Sequence, residues 1–122
     1  MSYGQELILD LHQCDVSKFN RADIDTFFGY VCDLTLMVQC ERYWWDDIGV
    51  PEEEQQTLPH TKGTSAVQFI LTSSIVIHTL DLMGNVYINI FTCKQFDHYV
   101  VAEYCRDFFK GKIASRHFIE RL

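Results

Sequence analysis

A hydroxyl, an imidazole and a thiol are spaced along two short apolar runs. Ser73 opens Ser73-Ser74-Ile75-Val76-Ile77-His78-Thr79, and Cys93 follows Tyr87-Ile88-Asn89-Ile90-Phe91-Thr92, fifteen residues after the histidine. A serine can attack the carbonyl of its preceding peptide, here that of Thr72, and the resulting ester is opened by a base through β-elimination. The serine becomes dehydroalanine and then, on losing ammonia, a pyruvoyl group at a new N-terminus. Such a ketone forms a Schiff base with a substrate amine and withdraws the electrons released by decarboxylation. Self-cleavage needs a base and a hydroxyl that stabilises the tetrahedral intermediate, and turnover needs an acid for the product carbanion. Taken singly, each residue has an ordinary reading: a small polar side chain, a core histidine, a buried cysteine. Together they supply the hydroxyl, the base and the acid that such chemistry needs.

From Gly63 to Cys93 the chain reads Gly63, Ser65, an apolar run from Val67 to Leu71, Ser73, Ile77-His78-Thr79 and Phe91-Thr92-Cys93. Nearer the N-terminus, Gly4 precedes a run from Leu7 that ends in Cys14-Asp15. This order resembles the prokaryotic-type S-adenosylmethionine decarboxylases, self-processing pyruvoyl enzymes, and identifies the chain as a divergent member. The resemblance implies cleavage at Thr72-Ser73, with Ser73 as pyruvoyl precursor, Ser65 and His78 as the processing hydroxyl and base, and Cys93 as the proton donor in turnover. It implies decarboxylation of S-adenosylmethionine for spermidine and other polyamines, in a homodimer whose protomers are each cut in two. The chain departs from the family where glutamate and histidine flank the cleavage serine, having Thr72 and Ser74 there. It departs again at Leu80-Asp81-Leu82, where tryptophan, proline and a ribose-holding glutamate follow in the family. Asp81 is the candidate to hold the ribose from one position away, and Ser74 is a second nucleophile out of register. Two other readings stay open: a pyruvoyl-dependent decarboxylase of a basic amino acid such as ornithine or arginine, and an unprocessed, non-catalytic S-adenosylmethionine-binding protein.

With 122 residues, nearly half of them hydrophobic and nine of them Phe, the chain is expected to be a single domain, 1–122, that folds without metal or disulfide. Met1-Ser2-Tyr3-Gly4 has no basic flank, and no apolar run is long enough to cross a bilayer, so a cytoplasmic protein without membrane contact is expected. A formal net charge of -7 disfavours nucleic acid and suits a cationic small molecule. The five cysteines, Cys14, Cys32, Cys40, Cys93 and Cys105, lack CxxC spacing and read as reduced thiols, mostly buried. His12, Cys14, His60, His98 and His117 form no zinc motif, so no metal is expected. Trp44-Trp45 before Asp46-Asp47 either stack an adenine and attract a sulfonium or ammonium group, or form a core or dimer edge beside a solvated acidic loop.

These groups must be positioned by the elements around them. Glu6 to His12 alternates as a half-buried strand, and Ile24, Phe27, Phe28, Val31 and Leu34 mark an amphipathic helix from Arg21 to about Val38. Cys40 to Trp45 either extends that helix or forms a second strand. Asp46 to Gly63 reads as a surface loop. Strands follow at about Ser65 to Leu71, Ile75 to Leu80 and Val86 to Thr92, with Met83-Gly84-Asn85 turning the last pair. A second helix starts near Asp97 and is closed by Gly111, and a final strand runs from Ile113 to Leu122. The economical arrangement is α+β, a two-layer α/β sandwich with an antiparallel sheet and both helices on one face.

Overall fold

The structure, a computed structural model, describes residues 2–122. In chain order the elements are β1 (Gly4–His12), α1 (Arg21–Thr35), β2 (Gln39–Trp45), β3 (Gly63–Ile70), β4 (Ser73–Leu80), β5 (Asn85–Thr92), α2 (His98–Phe109) and β6 (Lys112–Arg121). Two short 3-10 turns, Val16–Lys18 and Glu52–Glu54, lie in the connections. All six strands join one sheet in the order β2-β3-β4-β5-β1-β6, antiparallel throughout. Both helices cover one face, giving the expected two-layer α+β sandwich and leaving the other face without a helix.

Strand alternation builds the core. Across β4, β5 and β1, Ile75 pairs with Ile90 and Ile90 with Leu7, while Ile77 pairs with Ile88 and Ile88 with Leu9. These rows are buried together with Ile24, Phe27, Phe28 and Val31 of α1 and Val101, Ala102, Cys105 and Phe109 of α2. Phe27 is the hub of the helix layer, with ring centroids 5.1 Å from Phe109, 5.4 Å from Phe108, 6.0 Å from Phe28 and 6.3 Å from Tyr104. Each such aromatic pair adds about 0.5–1.5 kcal/mol beyond the area it buries.

Both helices end through a left-handed residue that is not glycine. Leu36 has φ 56°, its N–H donates to the Asp33 carbonyl, and the Met37 N–H donates to that of Cys32. This reverse turn closes α1 at Thr35, short of the Val38 expected from the periodicity, because Met37 is drawn into the core. The following segment is strand, β2, at the edge of the sheet. At the end of α2 the left-handed residue is Lys110, φ 52°, and Gly111 donates to the Arg106 carbonyl. Glycine at 111 gives room instead: a Cβ there would lie 2.5 Å from Cys14 Sγ and 3.0 Å from the His12 carbonyl oxygen, so Cys14 would have to shift. Of the five free cysteines only Cys32 and Cys105 are fully buried, fewer than composition suggested.

The start of β3 has a tighter constraint. A Cβ on Gly63 would sit 1.7 Å from the Thr79 carbonyl oxygen, so the β3–β4 pairing at this end requires glycine. Gly29, in the middle of α1, has nothing within 4 Å of the equivalent position. Urea unfolding is expected to show Gly63→Ala losing about 1–3 kcal/mol through overpacking, while Gly29→Ala gains about 0.5–1 kcal/mol in helix propensity. In the same assay Phe27→Ala is expected to lose about 3–5 kcal/mol.

Candidate active site

Strand β4 carries two of the expected residues, and its geometry separates them. Ser73, Ile75, Ile77 and Thr79 are buried toward the helices, whereas Ser74, Val76, His78 and Leu80 point to the open face. Ser73 and His78 are five residues apart, so they lie on opposite faces and about 17 Å apart along the strand. The family resemblance implied that Ser65, Ser73, His78 and Cys93 work together in one site. The fold divides them between two.

At the first position, Leu71 and Thr72 form a two-residue turn between the last paired residues, Ile70 and Ser73. Thr72 has φ 55°. Glycine or asparagine ordinarily occupies such a position, and an L-residue in this left-handed region carries a penalty of about 1–2 kcal/mol. Ser73 is buried, and its Oγ accepts a hydrogen bond from the Cys93 backbone N–H at 3.2 Å. The Ser73 hydroxyl is also 3.9 Å from Cys93 Sγ, and Thr72 Oγ1 is 3.1 Å from that sulfur. The Thr72 hydroxyl, and secondly that of Ser73, hold the Cys93 thiol below its ordinary range. The Thr72–Ser73 peptide bond therefore lies in a strained turn beside a thiol whose anion is favoured. Ser74 faces the open side, away from this sulfur.

At the second position, Ser65 of β3 is directly opposite His78 of β4, and Ser65 Oγ is 2.7 Å from His78 Nδ1. They line a groove of about 520 Å³ with Trp45, Gln56, His60 and Tyr87. Among the described residues, no carboxylate lines this groove. Trp45 is exposed here, while Trp44, one residue earlier, turns to the helix side beside Phe28, with the Arg21 guanidinium 5.7 Å from its ring. The two tryptophans therefore do not form one stacking platform.

Asp81 joins neither group. It lies in the turn after β4 and lines a separate pocket of about 330 Å³ with Arg21, Asp46, Asp47 and Lys62. Burial raises its carboxyl above the usual range, and its Oδ1 has no hydrogen-bond partner among the described residues. Asp46 is gripped by Arg21 through two hydrogen bonds of 2.6 and 2.8 Å, which lower its carboxyl and leave it a poor free counter-charge for a ligand. Sequence reading passed over Tyr87 as a site residue and took Thr72 only as the carbonyl before the cut, not as a side chain of the site. Tyr87 is opposite His78 in the ladder, a placement that the alternation of β5 contains. Thr72 had no such signal, since Leu71-Thr72 lacks the glycine or asparagine of a two-residue turn.

The family described as S-adenosylmethionine decarboxylase matches residues 5–122. No curated protein matches the chain in sequence. Among solved structures, the chain is similar to the adenosylmethionine decarboxylase from Aquifex aeolicus, with a TM-score of 0.76 and 18% identity over 98% of this chain and 91% of that one. The structural likeness extends the common fold over both halves of the candidate site. With the family match spanning all but the first few residues, this protein belongs to the S-adenosylmethionine decarboxylase family.

Proposed function

We propose that this protein cuts itself between Thr72 and Ser73 and then decarboxylates S-adenosylmethionine, supplying aminopropyl groups for spermidine and other polyamines. The observation that carries the reading is the buried Ser73 hydroxyl, which accepts from the Cys93 N–H and lies within 3.9 Å of the Cys93 sulfur. In the first step Ser73 Oγ bonds to the Thr72 carbonyl carbon and its proton passes to Cys93 Sγ. The proton then moves to the Ser73 nitrogen as the C–N bond breaks, leaving an ester and an amine. A base next removes the Ser73 α-proton, expelling the Thr72 carboxylate and giving dehydroalanine. Addition of water and loss of ammonia leave the ketone.

The residues around Ser73 fit a pyruvoyl group formed there: the Cys93 N–H remains as a donor and the thiol stands beside it. When formed, that group supplies an electron sink for decarboxylation. Cys93 Sγ then holds the proton delivered to the product α-carbon. Cleavage itself moves the thiol toward this second role, because Thr72 acquires a carboxylate and Ser73 loses its hydroxyl. Both changes disfavour the thiolate.

His78 and Ser65 cannot reach Ser73 of their own chain, so their part in opening the ester requires a second copy. A homodimer is further supported by the helix-free sheet face, where Tyr43 is 57% and Trp45 56% exposed. The groove beside His78 offers aromatic side chains without a carboxylate, which favours a nucleoside-bearing substrate over ornithine or arginine.

Two tests follow. Carbon dioxide release from carboxyl-labelled S-adenosylmethionine is expected from the purified protein, to vanish in Ser73→Ala and to fall about 10²–10⁴-fold in Cys93→Ala scored on processed chains. Undiminished release from Ser73→Ala would sink the pyruvoyl reading. In the second test, Ser73→Ala and His78→Ala chains are each expected to remain whole when expressed alone. On co-expression the His78→Ala chain is cut, using His78 of the other copy, and failure to cut it would remove the shared-site dimer.

A further inference from the structure

The left-handed turn residue Thr72 has an unusual position: it precedes the proposed cut, it has φ 55°, and its hydroxyl points at Cys93. Glycine would satisfy this backbone without steric conflict. What threonine adds is one hydroxyl with two acceptors in reach, the Leu71 carbonyl at 2.7 Å and the Cys93 sulfur at 3.1 Å. Against a neutral thiol, the hydroxyl donates to Leu71 and accepts the S–H. Against a thiolate it turns its proton to the sulfur, a charge-assisted bond stronger than either neutral one. The remaining polar neighbour across the turn is Ser73, and the adjacent cation is Lys94, whose Nζ is held 3.0 Å from the Leu36 carbonyl.

We infer that Thr72 is a positioning residue for Cys93, its γ-hydroxyl delivered by the left-handed turn to hold the sulfur as the thiolate beside Ser73. Within the proposed function, on which this role rests, that thiolate is the group that receives the Ser73 Oγ proton, and the strained turn is kept because it aims the hydroxyl. Thr72 itself exchanges no bond with substrate.

The test titrates Cys93 in protein that cannot be cut. In a Ser73→Ala background, the rate of iodoacetamide alkylation is followed against pH, with Cys93 scored by mass of its own peptide so that exposed Cys40 does not contribute. Thr72→Val, nearly the same shape without the hydroxyl, is expected to raise the alkylation midpoint by about one pH unit, a roughly tenfold loss of thiolate below the midpoint. Thr72→Ser restores the parent midpoint, which a purely steric role would not require. Thr72→Ala gives the same rise as valine, and serves should valine not pack. An unchanged midpoint in the hydroxyl-free variants overturns the inference. Because the titration needs no cleavage, a chain that never cuts itself yet shows the shift would count against the decarboxylase reading alone. A chain that cuts itself but shows no shift would count against Thr72 alone.

Discussion

Successive side chains of a β-strand leave on opposite faces, and in this protein that alternation on β4 decides where chemistry can occur. Ile75 and Ile77 must face the helices, because their rows with Ile90, Leu7, Ile88 and Leu9 are the center of the core. Ser73 and Thr79 share their parity and are buried with them, and His78 is thereby sent to the other face. A register slip of one residue would exchange the two sets and expose the isoleucines. The core therefore fixes this division, and a buried Ser73 with a distant His78 is the consequence. Under the proposed function, reuniting them takes a second copy of the chain.

The two halves of the site differ in their physics. Ser73 is itself buried at the edge of solvent: a two-residue turn with exposed Leu71 and Thr72, a sheet end and the half-buried first residue after β5 meet within hydrogen-bonding distance. Hydroxyl and backbone donors there favour a charged sulfur. Around His78 there is an open groove with aromatic walls, suited to binding a large flat substituent. Gly63 is common to both neighbouring pockets, and its absent Cβ lets β3 approach the Thr79 carbonyl closely enough to hold Ser65 against His78.

Much of this was legible in the sequence. Alternating and helical periodicities located the central strands and both helices, because burial on one face leaves an unmistakable pattern. The odd spacing from Ser73 to His78 already stated that their side chains part on one strand, and the adjacency of Trp44 and Trp45 stated the same of them. Proximity in sequence obscured it. Other features were not written in residue type. Leu36 and Lys110 take left-handed positions that glycine usually fills, so the end of α1 was read too long and the end of α2 was assigned to Gly111. Thr72, like Gln13, is another such residue, and at Thr72 the departure from expected turn chemistry coincides with the candidate site, where local strain is most often kept. The isolation of Asp81 depended on the turn after β4, which alternation does not describe.

The central claim is that Ser73 becomes a new N-terminus, and an intact mass spectrum of freshly purified protein tests it directly. The account predicts two species, residues 1–72 and a pyruvoyl-blocked 73–122, and no free amine on the second. A single uncut chain, persisting on incubation, would contradict it and leave a binding protein on a decarboxylase fold.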